Sequence, residues 1–391
     1  MAAKHWVLTD LSPHDGELFS ITPFDFLPEE NVVGGWSVTK RRLRGGRGDG
    51  VEMVCIDNGR LRFIVLPTRG MGLWKAWCGD LEVGWKSPAN GPVHPALVPL
   101  SDPSGIGWLR GFDELVARCG LESNGAPQFT PSGVLKYPLH GRIQNTPAHH
   151  VELTVDPERG EISLCGVVDE TALFGNSLRL RSTYTTSFGD STLRITDMVE
   201  NISGSPKDFE LLYHTNFGVP ILTPGAKVVL PVKRMAPRDA NAAGRDRYDV
   251  WDTYEQPTPG IPEVCYYCDL YADSQGVSGA LFHDPDANRG VWQKFSRDQF
   301  PCFTLWKNPL PETDGYVTGF EPGTNYPNTH DFEKSHGRVV TLAAGQSRIF
   351  EMELSLLTDA DAVTQARESL RDIVAGRPSL FLEQPDPQWC E

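Results

Sequence analysis

The chain has 391 residues, 39% of them apolar, and a formal net charge of -15. That length and apolar content fit one large or two ordinary domains with a full core. The acidic balance repels phosphate backbones and argues against nucleic acid as a partner, and no stretch reaches the roughly 20 apolar residues of a membrane span.

The opening run MAAKHWVLTDLSPHD has no apolar segment of signal-peptide length and carries Asp10. The expectation is a soluble, cytoplasmic protein. Of eight cysteines, only Cys265 and Cys268 have metal-like spacing. They sit in Val264-Cys265-Tyr266-Tyr267-Cys268, which reads as a strand, whereas a zinc knuckle needs a turn. No metal is expected at this pair, and the thiols are expected to be free and mostly buried.

In chain order, residues 1–50 are expected to form an N-terminal extension packing on a single domain over 51–391. The extension ends in a basic, glycine-rich loop at 40–50 that lacks the Lys-Ser/Thr ending of a phosphate loop, so an exposed hairpin or loop is expected. Leu61, Phe63 and Val65 alternate as a strand. Pro67-Thr68-Arg69-Gly70-Met71 then forms a turn carrying a single arginine. Residues 87–103 are rich in Pro, Gly and Asn and read as a long loop. In Pro138-Leu139-His140-Gly141-Arg142, His140 has a turn-like setting that favours a ring at the surface or in a cleft.

From 151 to 232 the pattern is plainly β. Leu178, Leu180, Ser182, Tyr184 and Thr186 share one face, and a turn at Gly189-Asp190 leads into Leu193, Ile195, Asp197 and Val199. This is a hairpin signal. An apolar run from Phe209 ends near His214. Residues 236–262 read as a long polar connection. Gly315 to Phe320 reads as a short buried strand that places Glu321 at its end. Pro322-Gly323-Thr324-Asn325 is expected to be a turn, because proline cannot continue a ladder. A carboxylate at such a boundary is well placed to face a pocket. Residues 347–357 alternate again, and Ala362, Ala366, Leu370, Ile373 and Val374 at helical spacing predict one helix, capped by Asp359 or Asp361. Strand and turn without βαβ alternation predict an all-β fold, a large antiparallel β-sandwich with a short C-terminal helix.

Three marks stand in order: Leu139-His140-Gly141, Tyr213-His214-Thr215-Asn216-Phe217 and Phe320-Glu321-Pro322-Gly323-Thr324 with Pro327-Asn328. Together they resemble the aldose 1-epimerase (galactose mutarotase-like) family over roughly 60–360. The Pro67–Met71 turn, Cys119-Gly120-Leu121 and His140-Gly141-Arg142-Ile143 look like a divergent branch of that superfamily of largely uncharacterised function. The sequence departs from the family in reading His-Gly-Arg at the first mark. Where the family carries a Tyr-Asp-His, it reads Pro262-Glu263-Val264.

The resemblance implies a cofactor-independent isomerase acting on a small-molecule sugar. Glu321 is implied as the base and ionised, His214 as the acid and protonated. His140 would donate a hydrogen bond to sugar oxygens. Arg69 and Arg142 would contact substrate hydroxyls or an anionic group. Trp306 and Lys307 are further candidates, Trp306 as an aromatic face for the sugar, and Glu263 is a candidate for holding hydroxyls. Two alternatives share the site: an epimerase or lyase acting alpha to a carbonyl on a modified, keto or acidic sugar, and a non-catalytic carbohydrate-binding module. The oligomeric state and the identity of the sugar are left open.

Overall fold

The longest strands arise where apolar and polar residues alternate without a break. In Ser177–Ser187 every second side chain, from Leu178 through Tyr184 to Thr186, is buried while its neighbours face outward. Thr192–Asn201 and Ser347–Leu357 repeat the pattern, and side chains alternate across a strand with period two. The computed structural model describes residues 3–11, 18–25, 35–245 and 250–391.

Among these residues the strands form two large sheets, of nine and fourteen strands, and a small two-stranded one. The nine-stranded sheet is centred on Ser177–Ser187, Thr192–Asn201 and Ser347–Leu357. The fourteen-stranded sheet runs through Val116–Leu121, Lys207–Phe217, Val317–Gly323, Cys302–Asn308 and Val264–Leu270 in that spatial order. Between the sheets lies one continuous apolar cluster that takes Leu180, Tyr184 and Ile195 from one side and Tyr213, Phe303 and Phe320 from the other. This is the expected antiparallel sandwich. Among the described strands, Val232–Pro237 pairs in parallel with Leu380–Phe381.

The described part of residues 1–50 is woven into both sheets. Lys4–Thr9 pairs with His150–Asp156 at one edge, and Ser37–Arg42 pairs with Glu52–Asp57 in the other sheet. Residues 1–2, 12–17 and 26–34 of the extension lie outside the described residues. The basic loop is the expected hairpin, and Arg47 reaches from it to the carbonyls of Ala89 and Arg110.

The predicted C-terminal helix spans Ala360–Val374, with the Asp359 side chain accepting from the Ala362 N–H. Its apolar stripe of Val363, Ala366 and Leu370 packs on the outer face of the nine-stranded sheet. Two shorter helices were not anticipated. One, Ala240–Arg245, lies within the connection read as irregular over 236–262, where Asp239 caps an alanine-rich start through the N–H groups of Asn241 and Ala242. Residues 246–249 of that connection lie outside the described residues. The other, His330–Ser335, follows the Pro327-Asn328 pair. Among the described residues no helix is long and apolar enough to cross a membrane.

The expected turn at Pro322 is a correction. The strand runs on through it to Gly323 and keeps its pairing with Cys302–Asn308. The ladder on its other side, to Lys207–Phe217, lapses opposite Pro322, which has no N–H to give, and resumes at Leu212–Gly323. The Thr324 hydroxyl then accepts from the Leu211 N–H, and the Thr324 N–H donates back to Leu211.

A candidate active site on the outer face of the large sheet

Period-two alternation decides which residues of the central strands face away from the core. Tyr213, Phe303, Leu305 and Phe320 point into the sandwich. Leu212 and Val317 support a second apolar layer on the opposite face, with Trp85, Trp108 and Phe112 brought in from the long loops. His214, Trp306 and Glu321 share this outer face and line a cleft of about 690 Å³ with His140, Trp108 and Phe112. That size is ordinary for a small-molecule site.

The register that pairs Leu212 with Gly323 and Thr215 with Phe320 sets His214 opposite Glu321. Their Nε2 and Oε1 atoms are 3.2 Å apart, and the two side chains are 5% and 2% exposed. Oε1 nevertheless has no well-aligned hydrogen bond. On its other flank Glu321 faces Thr304, whose buried hydroxyl is also unpartnered. Gly319 leaves the room both groups need, since a Cβ there would lie 2.7 Å from Glu321 Oε1 and 2.9 Å from His214 Cε1.

The His214 ring is surrounded by rings of other residues. Phe112, Trp306 and His140 lie 4.9, 5.2 and 5.5 Å away between centroids. Its Nδ1 lies 2.6 Å from Asn216 Oδ1. His140 occupies a left-handed backbone conformation, φ 57°, pinned by its N–H to Gly125 and its carbonyl from Gly120. Its Nδ1 lies 2.8 Å from the Asn124 carbonyl, and its ring is edge-on to Trp108.

Burial dominates the electrostatics. It holds the Glu321 carboxyl well above the usual carboxylate range, helped by the charge of Glu263 and opposed by Arg238. Burial likewise holds the His214 imidazole well below its ordinary value, aided by His140 and opposed by Asn216. The His140 imidazole is pushed down to about 4, again chiefly by burial. Both ions of the expected Glu321/His214 ion pair would be desolvated, so burial favours the neutral pair, with one proton between Oε1 and Nε2. His140, expected to donate to the sugar, is set by its contact with the Asn124 carbonyl. A carbonyl only accepts, so Nδ1 carries the proton, and the neutral ring presents Nε2 as an acceptor rather than a donor.

Glu263 and Trp306 lie in the cleft as expected. Glu263 Oε2 accepts from Trp306 Nε1 at 2.7 Å, and its Oε1 lies 3.0 Å from Arg238 Nη2. Three other expected residues are elsewhere. Arg69 is fully buried, with its guanidinium shared among Glu114, Asn145 and the carbonyls of Val93 and Gly111, so it braces the loops behind the cleft. Lys307 points to the opposite face of its strand, where it donates to the Trp251 and Thr253 carbonyls. Arg142 does not line the cleft. Trp108, Phe112, Arg238 and Asn216 were not anticipated. Among the described residues no cluster of His, Cys, Asp and Glu is arranged to hold a metal ion.

A family model described as "Domain of unknown function (DUF4432)" matches residues 48–356. The crystal structure of a "putative aldose 1-epimerase" from Klebsiella pneumoniae superposes with a TM-score of 0.93 at 31% identity, over 98% of this chain and 99% of that one. A galactose mutarotase-like protein from Clostridium acetobutylicum superposes at 0.54 with 14% identity, over 79% and 96% of the two chains. A galactose mutarotase related enzyme from Lactobacillus acidophilus gives 0.53 and 13%, over 79% and 98%. These two share the fold. No curated protein matches the chain.

Proposed function

Because this chain belongs to the DUF4432 family and has the galactose mutarotase-like fold, we propose that its cleft interconverts the anomers of a sugar, as an aldose 1-epimerase does. The observation that carries this reading is the His214–Glu321 pair, 3.2 Å apart on neighbouring strands and facing a cleft. A buried carboxyl beside a buried imidazole costs stability that a pure binding site has no need to spend, and such perturbed pairs concentrate at reactive sites.

Ring opening needs one proton removed and one supplied. The proton shared by the pair first passes from Glu321 to His214 Nε2. The Glu321 carboxylate then takes the proton of the anomeric hydroxyl. The C1–ring oxygen bond breaks, C1 becomes an aldehyde, and His214 Nε2–H protonates the departing ring oxygen. After rotation about C1–C2 the steps run backwards on the other face, and the pair is returned unchanged. Its net charge is zero whichever atom holds the shared proton, so no net charge builds up in the buried site. His140 Nε2 and Glu263 accept from sugar hydroxyls, and Trp306 offers an apolar face to the ring.

An acidic sugar suits this cleft poorly. Arg69 and Arg142 do not line it. Arg238 Nε and Nη2 both lie against Asp239 Oδ2, at 2.9 and 2.8 Å, and Nη2 also reaches Glu263. The test is anomer exchange on a panel of neutral and acidic sugars, read by saturation-transfer NMR. Acceleration supports ring opening. Absence of exchange, with deuterium incorporated next to a carbonyl, would favour alpha-proton chemistry instead.

A further inference from the structure

The roles just given require that His214 present Nε2, and not Nδ1, with its lone pair or its mobile proton toward Glu321. A neutral imidazole in water carries its proton on either nitrogen, so something must choose. We propose that Asn216 makes the choice: it is the positioning residue that holds His214 as the Nδ1–H tautomer. Its effect on turnover rests on the reading above, but its effect on the tautomer does not.

His214 and Asn216 are two apart on one strand, so their side chains share a face. The Asn216 amide has only one orientation open to it. Its Nδ2 lies 2.9 Å from two carbonyl oxygens, those of Glu114 and His214. Carbonyl oxygens only accept, so this end must be the NH₂ group. Flipping the amide would set Oδ1 against both of them and lose two buried hydrogen bonds, each worth about 1 kcal/mol plus the desolvation of the stranded groups. Oδ1 therefore faces His214 Nδ1 at 2.6 Å, and Nδ1 must donate.

The support for the amide is itself fixed. The Glu114 carbonyl also accepts from Trp85 Nε1 at 3.1 Å. The Asn216 N–H donates to the Leu115 carbonyl at 2.7 Å. The Glu114 side chain is fully buried against Arg69, which ties it to the loops lining the cleft. Arg69 thus serves the site at a distance, through the peptide that orients Asn216.

The experiment is NMR of the full-length protein carrying ¹⁵N-labelled histidine, with the His214 signals identified by their loss in His214→Gln. At neutral pH the native protein should show a protonated Nδ1 and a bare Nε2 on His214. A protonated Nε2 with a bare Nδ1 overturns the proposal without any variant. Asn216→Leu keeps the size and removes the acceptor, so the second tautomer should appear. If the Nδ1–H tautomer persists unchanged there, Asn216 is not what sets it. On any sugar the native protein converts, Asn216→Leu should lose turnover by ~10²-fold with KM changed far less, as befits a misplaced acid–base group. If the native protein converts no sugar, the tautomer results stand and only the functional reading fails.

Discussion

His214 Nε2 lies 3.2 Å from Glu321 Oε1, at the place where the ladder between their strands lapses opposite Pro322. The imidazole and the carboxyl are neighbours by register, so they meet without any loop having to fold over them. If they act in one proton-transfer step, Glu321→Gln and His214→Asn should each lower turnover by ~10²–10⁴-fold with little change in substrate binding. The double variant should lose much less than the product of the two, because each single loss already disables the step. Anomer exchange rate against sugar concentration for the three variants checks this.

The pH profile follows from the two shifts. The active state holds one proton between the two groups. Gaining a second proton, which removes the base, requires protonating His214, and burial has moved that event to lower pH than for an ordinary imidazole. Losing the one proton, which removes the acid, requires ionising Glu321, and burial has moved that event to higher pH than for an ordinary carboxyl. The exchange rate should therefore form a broad plateau across neutral pH, with its acid limb displaced downward and its alkaline limb upward. The limbs report the pair as a unit. An acid limb at the value of a free imidazole would contradict the electrostatics described for the cleft.

Gly319→Ala tests the packing behind the pair. Its Cβ would meet Glu321 Oε1 and His214 Cε1 at less than 3.0 Å. Overpacking of this kind costs ~1–3 kcal/mol and moves the flexible neighbour. Activity should fall by about tenfold or more, while the protein remains folded in thermal unfolding. Full activity in this variant would mean that Glu321 has more freedom than its surroundings indicate.

Arg69→Ala separates bracing from binding. Removing one partner of a buried ion pair strands the other and costs ~3–5 kcal/mol. Glu114, fully buried, is the partner left behind. The expected outcome is a marked fall in the thermal midpoint, with the loss of activity following the loss of folded protein. A variant of native stability with a raised KM would restore Arg69 to the substrate-contacting role that the family resemblance implied.

The sandwich was legible because alternation is a local property. Leu178 through Thr186 and Phe350 through Leu356 declare their buried face without reference to any partner strand. Glu321, His214 and His140 were legible through three short motifs, although nothing local shows that they meet. The same period-two rule excludes Lys307 from the cleft once Trp306 is placed there, since adjacent strand residues face opposite ways. His214 and Asn216 are spaced to share a face, so that signal was present too. Trp108, Phe112 and Arg238 carried none, because loops distant in the sequence bring them to the cleft. The charge state of the pair was equally hidden, because it depends on burial that only the assembled sheet and its covering loops create. Pro322 misled because a proline stops a ladder on one side of a strand only, and here the pairing with Cys302–Asn308 continues past it.

The most direct test of the account is saturation-transfer NMR on freshly dissolved aldoses with the native protein and with Glu321→Gln. Transfer between the two anomeric proton signals reports ring opening itself, without a coupled enzyme. The account predicts accelerated exchange for at least one neutral sugar with the native protein and its collapse in the variant. Near-native exchange in Glu321→Gln, on a sugar the native protein turns over, would contradict the role assigned to this carboxylate.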